Sequence, residues 1–206
     1  MNAQISDLIQ SARHGSEQSL GKLLDRYRNY LKLLATTKLA GRVRARAGSS
    51  DVVQEVCLQA CRSFPQFRGN TEGELLAWLR AVLASRLNRL LDQHLGAERR
   101  DVRREVSLNA IANSLDRSSI RLDELAADSR LSPSGELHAS ERVRALADQI
   151  AELPPDYRQV ILLRNFEGLP FAEVAICVDR SQGATRMLWL RAVEMLRKRL
   201  TSKGLV

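Results

Sequence analysis

Aromatic side chains are scarce in this 206-residue chain: four Phe, two Trp and three Tyr make up 4% of it. Hydrophobic residues total 44%, so a core has to be assembled from Leu, Ala and Val, a composition that favours helix over sheet. Long apolar runs are also missing. No stretch approaches the roughly 20 residues of a membrane-spanning helix, and Met1 to Gln10 shows no basic start followed by an apolar run. Neither membrane insertion nor secretion is expected, and the chain is read as cytoplasmic. Cysteine is limited to Cys57, Cys61 and Cys177. The first two lie one helical turn apart and the third is remote, which reads as small buried thiols in a reducing compartment. His14, His94 and His138 are scattered, without the spacing of a zinc site, and no metal or other cofactor is expected. A Gly-rich phosphate cradle and a Ser/His/Asp or Cys/His constellation are absent too. No catalytic residue is assigned, and the chain is not expected to be an enzyme.

Positive charge is plentiful. Lys and Arg number 32 against 24 Asp and Glu, a formal net charge of +8, with a pI near 10.0. Such a balance favours an anionic partner, nucleic acid before membrane. The charge is uneven along the chain. Residues 1–95 carry fourteen basic and eight acidic groups, residues 96–143 eight and nine, and residues 144–206 ten and seven. Two positive ends on a neutral middle suit two nucleic-acid-contacting domains on a tether. The tether reads as residues 106–137, rich in Ser, Asn and Asp, with a breaker cluster at Ser132-Pro133-Ser134-Gly135 and room for a short helix around Leu108–Leu115. The expected fold is all-α: an N-terminal domain over 1–105, a flexible linker over 106–137 and a helix-turn-helix domain over 138–206.

The C-terminal stretch carries its own punctuation. Pro154 and Pro155 open one helix, since a proline in the first turn forfeits an N–H that had no partner. Gly168 closes it. Pro170 opens a second, in which Phe171, Val174, Ala175 and Val178 recur at helical spacing. Asp179 and Arg180 form a turn, and Ser181 is an N-cap for a third helix. Short helix, tight turn and longer helix make a helix-turn-helix. In the third helix Thr185, Leu188, Trp189, Ala192 and Leu196 share one face. Gln182, Gly183, Arg186, Met187 and Leu190 point the other way. Arg pairs with guanine, Gln with adenine, and Gly permits close backbone approach. An ordinary three-helix bundle with a polar outer face fits the same pattern.

Upstream, residues 2–13 read as a helix ending at His14-Gly15. A second helix is expected from Ser16 to Leu39 on the stripe Leu20, Leu23, Leu24, Tyr27, Leu31 and Leu34. A Gly-flanked loop carries Arg42, Arg44 and Arg46, and another basic run holds Arg99 and Arg100. Asp51, with Gln54 at the capping-box position, is expected to open a third helix that stops before Phe64-Pro65. Thr71 with Glu74 forms a second capping box and starts a long helix to about Leu95, with Leu75, Leu79, Leu83, Leu87 and Leu90 inward.

Two sets of residues together resemble an ECF-type bacterial RNA polymerase sigma factor, of the sigma-70 superfamily. At the N-terminal end these are Asp51-Val52-Val53-Gln54-Glu55-Val56, then Phe67-Arg68-Gly69, then Ala77-Trp78-Leu79. At the C-terminal end they are Leu153-Pro154, Tyr157-Arg158, Glu167-Gly168, Glu173-Val174-Ala175, Ser181 with Gly183, and Arg191-Ala192. Many members have Asn and Asp where this chain has Ser85, Arg86 and Arg89, and Thr-Val where it has Ala184-Thr185.

The resemblance implies a transcription initiation factor that binds core RNA polymerase and promoter DNA, and an anti-sigma factor is a typical partner in the family. It implies polymerase binding by Asp51, Gln54 and Glu55, whose carboxylates and amide suit a basic helical surface. For the −10 element it implies Arg68, Asn70, Trp78, Arg86 and Arg89. Capturing an unstacked base needs edge hydrogen bonds, which Asn70 supplies, and phosphate contacts, which the arginines supply. Trp78 either stacks on a base or packs between helices. For the −35 element it implies Arg180, Ser181, Gln182, Arg186, Met187 and Arg191, with Arg186 reading a base and Arg191 either on a phosphate or in an intramolecular ion pair. The alternatives are a stand-alone helix-turn-helix regulator, which explains only the C-terminal end and the charge, and a regulator that binds only a sigma factor or the polymerase.

Overall fold

The structure, a computed structural model, describes residues 2–38, 48–94, 102–127 and 139–202. Every regular element among these residues is helical. The chain divides into two compact units, Met1–Asp116 and Arg117–Val206. The arginines at 42, 44, 46, 99 and 100 and the breaker cluster at 132–135 lie outside the described residues.

In the first unit, α1 (Asn2–Arg13) ends as expected at Gly15, whose φ of +94° suits a residue without Cβ. Ser16 caps the next helix by accepting the Ser19 N–H at 3.2 Å. The expected single helix from Ser16 to Leu39 is in fact two, α2 (Glu17–Arg26) and α3 (Arg28–Lys38), broken at Tyr27. Tyr27 is wholly buried and its hydroxyl donates to Glu72. The apolar stripe continues through the break, with Leu23, Leu24, Leu31 and Leu34 all buried, so periodicity could not reveal it.

Helix α4 (Ser49–Ser63) begins two residues before the expected start, with Gly48 as N-cap. Asp51 and Gln54 therefore do not form the expected capping box. Asp51 sits in the first turn, where a carboxylate complements the helix dipole. Its inner face is Val52, Val53, Val56 and Ala60. Cys57 flanks that stripe and is half-buried, while Cys61 and, in the second unit, Cys177 are exposed. The expectation of buried thiols is thus wrong for two of the three.

Helix α5 (Glu72–His94) starts at the expected capping box and buries Leu75, Leu79, Leu83, Leu87 and Leu90. Arg80 ties it to its neighbours, donating to Asp116 at 2.8 Å and to the Tyr30 hydroxyl at 3.2 Å.

Helix α6 (Val102–Ala127) corrects the reading of residues 106–127 as a tether with a short helix. Leu115, Ser118, Leu122 and Leu125 are buried at helical spacing. The Ser, Asn and Asp residues that made the segment look like a linker mostly occupy the rest of the helix surface. The division between units falls within it, after Asp116.

The second unit adds α7 (Ala139–Glu152), which sequence reasoning left unassigned. It buries Val143, Leu146, Ala147 and Ile150. Then come α8 (Pro155–Ile161), a wide π-type turn over Leu162–Phe166, α9 (Phe171–Cys177) and α10 (Gln182–Ser202). The Arg158 guanidinium donates to the Ala151 and Leu153 carbonyls at 2.7 and 2.8 Å, closing the end of α7. Gly168 has φ +76°, and a Cβ there would stand 3.0 Å from the Arg121 guanidinium nitrogens. Arg121 also donates to the Phe166 carbonyl. Position and conformation both call for glycine.

The capping box yields a pH test. The Glu74 carboxylate accepts from the N–H groups of Asn70 and Thr71 and from the Thr71 hydroxyl at 2.8–3.0 Å. These bonds, the Asn70 N–H foremost, hold its pKa below the usual glutamate value. A depressed carboxylate stabilises the fold above its unfolded pKa of about 4.3, and that contribution fades as pH falls through the folded value. Wild type is expected to melt above Glu74→Gln at neutral pH, with the two converging in acid. A melting difference that did not change with pH would show that the charge is not what stabilises the start of α5.

Candidate nucleic-acid interface

Asp51, Gln54 and Glu55 lie on the outer side of α4, all exposed, and Leu58 continues their face at 54% exposure. The 3–4 spacing that places the valines inward leaves these residues outward. Glu55 is not free: its carboxylate pairs with Arg86 of α5. The structure thus joins a residue expected to meet polymerase to one expected to meet the −10 strand. Arg89 is exposed one turn further along α5.

The loop before α5 is shaped by rings. Phe64 and Phe67 are buried, and Trp78 contacts both at centroid distances of 5.8 and 5.2 Å. Trp78 is half-buried in this cluster, which agrees with packing between elements. Arg68 and Asn70 are exposed, and the Asn70 Oδ1 accepts from the Arg13 guanidinium. A Cβ on Gly69 would overlap the Phe67 ring and stand 2.8 Å from Glu74 Cβ. Glycine is needed here for close approach.

In the second unit the turn between α9 and α10 is closed by backbone geometry. Asp179 adopts φ +52°, and the Arg180 N–H reaches back to the Ala175 carbonyl at 3.0 Å. The Ser181 hydroxyl accepts the Ala184 N–H at 3.2 Å, the N-cap bond expected of it. Thr185 is fully buried and its hydroxyl donates to the Ser181 carbonyl at 2.9 Å. These bonds fix the rotation of α10. Ser181, Gln182, Gly183, Arg186, Met187, Leu190 and Arg191 consequently face solvent, while Ala192, Val193, Leu196 and Leu200 face the core.

Two of the outward charges, and the half-buried Arg164, are already engaged. Arg180 pairs with Asp156 of α8 at 2.7 Å. The Arg186 guanidinium lies 5.4 Å from the Phe171 ring centroid, and Arg164 lies 4.7 Å from it. Phe171 is itself held edge-on by Trp189 at 5.7 Å, and the Trp189 indole donates to Asn165 at 2.8 Å. Arg191 is exposed, with no ion pair among the described residues, leaving the phosphate reading of this residue open.

Residues 143–196 match the family model described as Sigma-70, region 4. Over 202 residues the chain is 30% identical to the ECF RNA polymerase sigma-E factor of Haemophilus influenzae, covering 97% of this chain and 98% of that protein. The chain belongs to the ECF sigma factor family. The sigma-E factor of Escherichia coli K12 is 28% identical over 199 residues, 95% of each chain. The ECF sigma factor BldN of Streptomyces coelicolor is 26% identical over 203 residues, 97% of this chain and 67% of that one.

For a sigma factor of this family, sequence reasoning overlooked Phe171 as a platform for Arg164 and Arg186, and Arg62 beside Arg86. Phe171 could have been suspected from its place at the start of α9, where an apolar ring lies close to the turn. Arg62 gave no signal distinct from any solvated arginine.

Gly69→Ala tests the loop. Forcing a methyl against Phe67 and Glu74 is expected to destabilise the first unit by about 1–3 kcal/mol, as overpacking does, read by urea unfolding. An unchanged midpoint would mean that the ring gives way freely and does not shape the loop.

Proposed function

We propose that this chain binds core RNA polymerase and directs it to specific promoters, through α4 for polymerase, the Phe67–Thr71 loop and α5 for the −10 element, and the start of α10 for the −35 element. The observation that carries the DNA-reading part is the outer face of α10. Gln182, Gly183, Arg186 and Met187 are exposed together on its first two turns while Thr185 anchors the opposite side. The free N–H groups of such a helix start suit phosphate, and the reach of Arg186 suits a guanine edge. The protein acts in the cytoplasm without catalysing a reaction of its own; no helix among the described residues is long and apolar enough to cross a membrane. An anti-sigma factor is a typical further partner in the family. A stand-alone operator-binding regulator accounts for α9 and α10 but leaves the end-to-end relation to sigma factors unexplained.

Reconstituted transcription tests the reading. The purified chain with core bacterial polymerase, on a pool of upstream DNA fragments, is expected to give initiation at specific sites that depends on the chain. Failure to associate with core at any salt would sink it. Arg186→Ala is expected to weaken promoter binding by roughly 1–3 kcal/mol, chiefly at promoters that present the preferred base. A loss uniform across sequences would reassign Arg186 to a phosphate.

A further inference from the structure

Between α4 and α5 lies a cleft of about 220 Å³, lined among others by Glu55, Gln59, Arg62, Ser85, Arg86 and Arg89. One water occupies roughly 30 Å³ in the liquid, so the space admits a larger polyatomic group. Three guanidiniums and one carboxylate line it, a surplus of positive charge at short range. Arg86 is the inner member, its side chain only 20% exposed, and it is paired with Glu55, which is 47% exposed. Arg62 and Arg89 stand at the rim, both exposed. An anionic oxygen is therefore already seated against the deepest guanidinium, and it is supplied by the chain itself.

We propose that this cleft is a phosphate seat for the promoter single strand, in which the Glu55 carboxylate stands in for a phosphate until polymerase takes it away. The proposal rests on the sigma reading above and goes beyond it in two ways. It adds Arg62, with Gln59 and Ser85 as amide and hydroxyl donors, to the strand contacts. It also makes the seat's availability depend on Glu55. A phosphodiester oxygen offers the same charge-assisted geometry as a carboxylate and suits forked guanidinium donors. Glu55 lies on the outer face of α4 with Asp51 and Gln54, so a basic helical surface docking there competes with Arg86 for the carboxylate. Once Glu55 turns outward, three unpaired guanidiniums remain around the cleft. In the free chain, the same ion pair masks Arg86, the innermost of them.

The test uses the full-length free chain and a short fluorescein-labelled single strand of mixed sequence, since phosphate contacts do not depend on sequence. Glu55→Gln is expected to tighten binding by roughly two- to fivefold, the span of a partly exposed ion pair. Glu17→Gln, an equal charge change at an exposed site on α2, is expected to tighten it less. Adding Arg62→Ala to Glu55→Gln is expected to cut the gain and to flatten the salt dependence by about 0.7 in log–log slope, one single-strand phosphate contact. Arg62 is exposed, so this variant tests the seat without disturbing the core. Equal tightening by Glu17→Gln and Glu55→Gln overturns the proposal, as does a gain that Arg62→Ala leaves undiminished. The wild-type transcription assay separates the two readings. Initiation alongside an unaltered Glu55→Gln affinity overturns the seat alone, while absence of initiation overturns the sigma reading.

Discussion

A guanidinium stays charged at every pH a protein meets, and three of the arginines read as facing DNA rest on another group of the chain. Those partners are of two kinds, carboxylates and an aromatic ring. Arg86 rests on a carboxylate from a neighbouring helix, Arg180 on Asp156, and Arg186 on the face of Phe171. Each resting contact is modest: about 0.2–1 kcal/mol for an exposed ion pair and about 0.5–1 for an exposed cation–π contact. A bidentate base contact supplies roughly 1–3 kcal/mol. For Arg186, the residue proposed to read a base, exchange of the ring for a guanine edge would therefore be favourable. Other arginines are held differently. Arg121 and Arg158 donate to main-chain carbonyls, and Arg80 is wedged between Asp116 and the Tyr30 hydroxyl. Losing those contacts would strand backbone acceptors or a phenol inside the fold, so these arginines serve structure.

What aims the exchangeable set is local hydrogen bonding. At the α9–α10 turn, the positive φ of Asp179, the Arg180 N–H on the Ala175 carbonyl and the Ser181 cap leave α10 one way to enter. Burial of Thr185 then fixes its rotation, and helical periodicity places Gln182 and Arg186 outward together. In the first unit the ring cluster of Phe64, Phe67 and Trp78 and the close packing at Gly69 set the loop, and the Thr71–Glu74 box sets the start of α5. In both units a turn fixed by local contacts carries the residues read as facing nucleic acid.

The turn chemistry was legible in the sequence because it is local. Ser181 as a cap, Thr71 with Glu74, Gly15 and Gly168 all act within a few residues of themselves. The family resemblance rested on such signals, and the comparisons bear it out. The break at Tyr27 was hidden because the leucine stripe runs through it unchanged. Helix α6 was hidden because Ser, Asn and Asp look like linker residues, although a leucine recurs at positions that fall on one face. The Glu55–Arg86 pair was hidden for a different reason: its members lie in separate helices, and neither differs in sequence from a solvated charge. Arg186 over Phe171 is of the same kind. Periodicity says which way a side chain points, and only the assembled fold says what it meets there.

The two units hold the charges read as DNA-facing in ways that differ in consequence. Arg180 and Arg186 are held by Asp156 and Phe171, neither of them on the face read as binding polymerase, so on the −35 reading duplex DNA has only those weak contacts to displace. Arg86 is held by Glu55, a residue on the face read as binding polymerase. On that reading its release is tied to a second macromolecule. That asymmetry matches the ligands. A −35 element is duplex and always present, whereas an opened −10 strand exists only once polymerase has engaged the promoter. A single-strand site left permanently unmasked on a chain of net charge +8 would collect any RNA or unpaired DNA, because phosphate contacts carry no sequence information. Under the seat proposed above, an internal carboxylate that polymerase displaces would lower that affinity in the free chain and restore it where the strand opens.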